Sequence, residues 1–178
     1  MGAISFNLQS INHNNMKKLV IIILTLICIS GCTSYDYPEK IPEDFYISLT
    51  WECYGCRSYN SETGQLSDCE HDTCYQLTNE DKAYFYDLIT SMDIFSYPDT
   101  YDPNPGVICH PPTTLILKVR INGDSKEIRA ENISDYASSI PLIGRKGQKF
   151  LSTCDSIAFR LMRTQEWKDL PESKYQYE

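Results

Sequence analysis

The sequence predicts an α+β fold: a two-layer domain with a four- to five-stranded antiparallel sheet and two helices on one face. Three observations carry this. Residues 45–53 and 114–121 alternate apolar and polar side chains with the period of a half-buried strand. Residues 85–92 and 150–161 carry apolar side chains at helical spacing. Ser61-Glu62-Thr63-Gly64 and Asn122-Gly123 are turn signals that mark hairpins. The order is therefore hairpin, helix, hairpin, helix. Two one-sided helices need a sheet face to cover, and an antiparallel sheet can leave its other face wet.

The elements follow in order. Phe45, Ile47, Leu49, Trp51 and Cys53 share one face of the first strand. A turn at 61–64 sets Asn60 opposite Gln65 in the return strand. Thr78 is placed to cap a helix, with Asp81 at the capping-box position. Phe85, Leu88, Ile89 and Met92 form its apolar stripe, and it stops before Pro98. Residues 97–112 are a long loop. Leu115, Leu117, Val119 and Ile121 then alternate, and Asn122-Gly123 suits a type I′ turn. The return strand covers 124–131, with Leu117 opposite Ile128 and Leu115 opposite Ala130. Residues 133–146 are irregular. A last helix covers about 147–167, with Phe150, Cys154, Ile157, Ala158 and Leu161 on one stripe. Pro171 ends it, and 172–178 is a polar tail.

The chain has 178 residues, 42% of them apolar and 22% charged, which is the composition of a globular domain. Its 16 basic residues against 24 acidic ones give a net charge of −8. That excludes a general nucleic-acid binder, which must meet the phosphate backbone with positive charge. Met16-Lys17-Lys18 opens a positive segment, and the apolar run 19–29 follows. Its 11 residues reach only about 16 Å as a helix, half a bilayer core, so it reads as a signal-peptide segment rather than a span. Residues 1–15, including His13, read as an extension upstream of the true start.

The run ends in Ile29-Ser30-Gly31-Cys32, which resembles the lipobox of bacterial lipoproteins. The resemblance implies cleavage after Gly31, a lipid on the Cys32 thiol and acylation (palmitate) of the new N-terminus. It places the chain in the bacterial cell envelope, at the outer membrane, with the membrane as partner through Cys32. Residues 32–44 are then the lipidated cysteine and a tether, and 45–171 a single α+β domain. Residues 41–51, Tyr54-Gly55, Gly147-Gln148-Lys149-Phe150-Leu151 and Glu166-Trp167-Lys168-x-Leu170-Pro171 resemble a family of single-domain lipoproteins of gut-type bacteria. That family brings no activity with it, and the extra cysteines depart from its pattern.

The chain has 8 cysteines. With Cys28 in the leader and Cys32 lipidated, Cys53, Cys56, Cys69, Cys74, Cys109 and Cys154 remain. An even number in an exported domain suggests disulfides. The first hairpin's register puts Cys56 opposite Cys69. A bulge between 69 and 74 would bring Cys74 into line with Cys53. Cys109 and Cys154 are left for each other, clamping the long loop to the last helix. The competing reading is thiol-based redox chemistry or a metal site built from Cys53, Cys56, Cys69 and Cys74, with His71 beside them.

No nucleophile–base signature, phosphate loop or zinc-protease motif occurs, so the expectation is a chain that is not an enzyme and holds no cofactor or metal. Asp99, Asp102 and Asn104 read as turn residues rather than calcium ligands. The basic stretch Gly144-Arg145-Lys146-Gly147-Gln148-Lys149 reads as a solvated turn before a helix. Tyr97, Tyr101 and His110 in the long loop are the candidate binding surface, since tyrosine gives contact area at low entropic cost. The expected function is a lipid-anchored, non-catalytic domain that binds a protein, peptide or glycan.

Overall fold

A computed structural model describes residues 35–102, 112–133 and 144–174. Its elements are β1 (Tyr46–Trp51), β2 (Arg57–Asn60), β3 (Gln65–Ser67), β4 (Asp72–Cys74), α1 (Asn79–Met92), a single 3-10 turn (Ile94–Ser96), β5 (Thr113–Ile121), β6 (Asp124–Ile133), α2 (Arg145–Leu161) and α3 (Gln165–Lys168). The fold is α+β, with one six-stranded antiparallel sheet in the order β4-β3-β2-β1-β5-β6.

The strand count exceeds the expected four to five because the chain turns once more after β3. Asp68 Oδ1 accepts from the backbone N–H of Glu70 at 2.7 Å and of His71 at 2.6 Å. This side-chain turn sends β4 back along β3, with Cys74 opposite Gln65. Elsewhere the registers agree with the sequence. Tyr59 faces Leu66, Leu117 faces Ile128 and Leu115 faces Ala130. Asn122 and Gly123 have φ of 53° and 86°, the left-handed pair that a tight hairpin turn requires. Both turn N–H groups donate to the Asp44 carboxylate, at 3.0 and 2.7 Å.

The strand alternation puts Ile47, Leu49, Tyr59, Leu66, Leu117, Val119 and Ile128 into one core. Phe85 and Ile89 of α1 and Phe150, Cys154 and Ile157 of α2 complete it. The capping box at Thr78 and Asp81 forms as the sequence predicts. The last helix does not run unbroken to 167. It ends at Leu161, and Thr164 caps the short α3, accepting from Trp167 N at 3.3 Å.

Residues 35–44 are not a free tether, and the compact unit begins at Tyr35. The Tyr35 ring stacks on Phe95 at 4.1 Å, and its hydroxyl donates to Asp124 at 2.8 Å. Burial and that carboxylate push the Tyr35 hydroxyl up to about 12. Tyr37 donates to Asp93 at 3.2 Å, and Tyr86 donates to the Pro38 carbonyl at 2.6 Å. Tyr35 and Tyr37 thus bind to the domain a segment that the sequence reads as tether.

Candidate functional site

The first turn of α1 and the last turn of α2 meet at a buried carboxylate. Asp81 is 2% exposed. Its Oδ1 accepts from Arg160 Nε at 2.7 Å. Its Oδ2 accepts from the Thr78 hydroxyl at 2.5 Å, from Thr78 N at 3.2 Å and from the Tyr75 hydroxyl. Burial pushes this carboxyl up, but the bonds from Thr78, Tyr75 and Arg160 outweigh it and hold it below the usual carboxylate range. Arg160 Nη2 also donates to Glu80 at 2.9 Å. The same carboxylates raise the Arg160 guanidinium, Asp81 most. Tyr75 is fixed in turn, because its carbonyl accepts from the Tyr59 hydroxyl at 3.1 Å.

Above this floor lies a groove of about 480 Å³, lined by Tyr84, Ser156, Phe159, Arg163 and Thr164 together with the floor residues. Its rim carries two large exposed rings, Tyr84 at 41% and Phe159 at 53%. The Arg163 guanidinium lies 3.9 Å from the Phe159 ring centre, and that of Arg160 lies 5.8 Å from Tyr84. Arg163 is exposed and has no carboxylate partner among the described residues. A carboxylate held below its usual range is a poor general base near neutral pH. The arrangement is suited to recognition: a rigid, charge-satisfied floor, exposed rings and a guanidinium, stacked on Phe159, that has no carboxylate partner among the described residues.

The residues singled out from the sequence lie elsewhere. Tyr97 is 3% exposed, stands 6.0 Å from the Phe150 ring and donates to the Lys146 carbonyl at 2.9 Å. Burial raises its hydroxyl to about 12. Tyr101 is half-buried, edge-on to Phe150 at 5.5 Å and to Tyr97 at 5.3 Å. Tyr97 is therefore core rather than exposed surface, and Tyr101 packs half-buried against that core; the backbone gives the reason. Arg129 N donates to Asp99 O at 2.8 Å and Tyr101 N to Arg129 O at 2.9 Å, so the start of the loop is laid along β6. His110 lies outside the described residues.

The cysteines divide. Cys56 and Cys69 are bonded, with Cα atoms 4.7 Å apart, as the hairpin register requires. Cys53, Cys74 and Cys154 carry free thiols. The expected Cys53–Cys74 bridge is absent because β4 is the outermost strand, three places from β1. Strands are spaced at about 4.8 Å, so the separation is about 14 Å, twice what a disulfide spans. The expected bond from Cys154 is also absent. This thiol is 1% exposed within the α2 stripe, where burial pushes it up and it packs as a small apolar residue. Cys109, its expected partner, lies outside the described residues, as does Cys32. The bond also removes two thiols from the four-cysteine metal reading. Among the described residues no three His, Cys, Asp or Glu side chains gather to hold an ion.

Asp99 is ion-paired with Lys126 at 2.6 Å, and Lys146 is turned onto Ser96 O at 2.7 Å, which splits the basic stretch before α2. Asp81 was legible as a capping residue, but its partner is 79 positions away, and no local signal in the sequence marks that pairing. Tyr84 and Phe159 lie off the apolar stripes of their helices, and the sequence reading did not single them out. No protein-family model, curated protein or solved structure matches this chain.

Proposed function

We propose that this chain is a lipid-anchored protein of the bacterial cell envelope, held through Cys32, and that it acts as a non-catalytic binding domain. The ligand, a protein, peptide or glycan, seats in the groove between α1 and α2. The observation that carries this reading is the pairing of a rigid floor, Asp81 with Arg160, with the exposed rings of Tyr84 and Phe159. Ordered side chains bind with little entropic loss. Flat rings suit the C–H face of a sugar or an apolar side chain, and the Arg163 donors suit an acceptor beside it.

The anchor is supported by the leader, with its short apolar run and Ile29-Ser30-Gly31-Cys32. Only Thr33 and Ser34 separate Cys32 from Tyr35, where the packed domain begins. No helix among the described residues is long and apolar enough to cross a membrane.

The anchor is tested by acyl labelling in cells: Cys32→Ala loses the label and leaves precursor, and an unchanged label overturns the assignment. The groove is tested by comparing capture from envelope extract by wild-type chain, Phe159→Ala and Arg163→Ala. Both side chains are exposed, so both variants keep the fold. A ligand held in the groove is lost from both, and undiminished capture by both places the ligand elsewhere.

A further inference from the structure

Cys56 has a cysteine on either side. Across the β2–β3 hairpin it is bonded to Cys69. Toward β1 the chain reverses within four residues, Cys53-Tyr54-Gly55-Cys56. Tyr54 and Gly55 have φ of 56° and 66°, and Cys56 N donates to Cys53 O at 3.3 Å. A turn closed by that bond holds its first and fourth Cα atoms within about 7 Å, overlapping the range of about 4.4–6.8 Å that a disulfide needs.

The turn is itself held in place. Tyr54 N donates to Pro112 O at 2.9 Å, Thr114 N donates to Glu52 O at 3.2 Å, and Cys53 bridges Thr113 at the start of β5. The side chain of Gly55 could not be larger without cost: a Cβ there would stand 2.9 Å from the Thr50 methyl, at a positive φ. Cys53 is a free, half-buried thiol fixed one turn from the Cys56–Cys69 bond. Cys74, an exposed thiol, is excluded from this row by its place on the outermost strand.

We infer that Cys56 exchanges partners, so that the domain has two disulfide isomers. The Cys53 thiol gives its proton to solvent and its thiolate attacks Cys56 Sγ. The Cys53–Cys56 bond forms as the Cys56–Cys69 bond breaks, and Cys69 leaves as a thiolate that takes a proton from solvent. One disulfide and one thiol stand on each side, so no oxidant or reductant is consumed. The exchange moves the link from residues 13 apart in the chain to residues 3 apart. It thereby releases β3, and β4 beyond it, from covalent attachment to β2. β4 leads directly into Tyr75, whose hydroxyl donates to Asp81, so the released edge adjoins the floor of the groove. The exchange itself does not depend on what the groove binds.

The test is disulfide mapping of the full chain. It is incubated without reductant at pH 6, 7 and 8, blocked with an alkylating reagent, and cut with trypsin under non-reducing conditions. In the first isomer, peptide 41–57 is joined to peptide 58–82. In the second they separate: 41–57 carries an internal bridge and no alkyl group, and 58–82 carries alkyl groups on both Cys69 and Cys74. Both isomers are expected, with conversion faster at higher pH because the thiolate is the attacking species. The Cys53→Ser chain should give the first isomer alone. The Cys69→Ser chain, treated with oxidised glutathione, should close Cys53–Cys56. Wild-type chain in which Cys69 is never alkylated at any of the three pH values overturns the proposal. So does a folded Cys69→Ser chain that leaves Cys53 and Cys56 both alkylated.

Discussion

Arg160, in the last turn of α2, donates from Nε to Asp81 Oδ1 in the first turn of α1 at 2.7 Å. This contact joins the start of α1 to the end of α2 at a carboxylate that is 2% exposed. Asp81 thus serves twice, as the capping-box acid of α1 and as the anchor for α2. The groove above it inherits its shape from that double use.

Replacing Asp81 with Asn should lower stability by about 2–4 kcal/mol at pH 7, since a buried hydrogen-bonded carboxylate is lost and Arg160, 40% exposed, recovers part of its solvation. The sign with pH follows from the direction of the shift. The folded carboxyl lies below its unfolded value of about 3.9, so its stabilisation is full above that pH and is lost as pH falls through the folded value. Denaturant melts at pH 7 and pH 3 check this. Wild-type chain should lose more stability between the two than Asp81→Asn does; equal losses would show that Asp81 contributes nothing to the acid limb.

The Cys56–Cys69 bond closes a loop with a sequence separation of 13. Replacing both cysteines with Ser should cost about 3 kcal/mol in the chain-entropy account. The denaturation midpoint at neutral pH measures it, and an unchanged midpoint would mean that the hairpin is held without the bond.

The Asp44 carboxylate bridges the two N–H groups of the Asn122-Gly123 turn. Asp44→Ala should cost about 1–2 kcal/mol, in the range of charge-assisted bonds at an exposed site. Amide exchange at Asn122 and Gly123 should rise in the variant, and protection equal to wild type would place the turn's stability in the turn residues alone.

Alkylation of the native chain should label Cys74, and Cys53 wherever Cys56 is bonded to Cys69, and spare Cys154, which is 1% exposed and whose thiol burial pushes well above its ordinary value. Intact mass followed by peptide mapping reads this directly. Rapid labelling of Cys154 would contradict its place in the core.

Much of the sheet was legible because its signals are local. Alternation set the faces of β1 and β5, Asn122-Gly123 set the β5–β6 register, and Gly64 set the β2–β3 register that pairs Cys56 with Cys69. The helix cap at Thr78 is likewise a four-residue pattern. What escaped depends on partners far apart in the chain. β4 exists because Asp68 captures two backbone N–H groups, which composition alone does not announce. Tyr35 and Tyr37 pack on Phe95 from some 60 residues away, so a stretch that reads as tether becomes part of the domain. Tyr97 and Tyr101 lie in a proline-rich loop, yet a short run of backbone pairing with Arg129 draws them inward. The groove was hidden for the same reason, because Asp81 and Arg160 are neighbours only once α2 has docked on α1.

The proposed binding mode seats the ligand between Tyr84, Phe159 and Arg163 while the chain sits in its own envelope. The most direct measurement is site-specific photocrosslinking in cells, with a photoreactive phenylalanine analogue at position 159 and, as control, at position 118 on the open face of the sheet. A discrete adduct at 159, absent at 118 and lost when Arg163→Ala is added, is the predicted result. No adduct at 159, or one of equal yield at both positions, would contradict it.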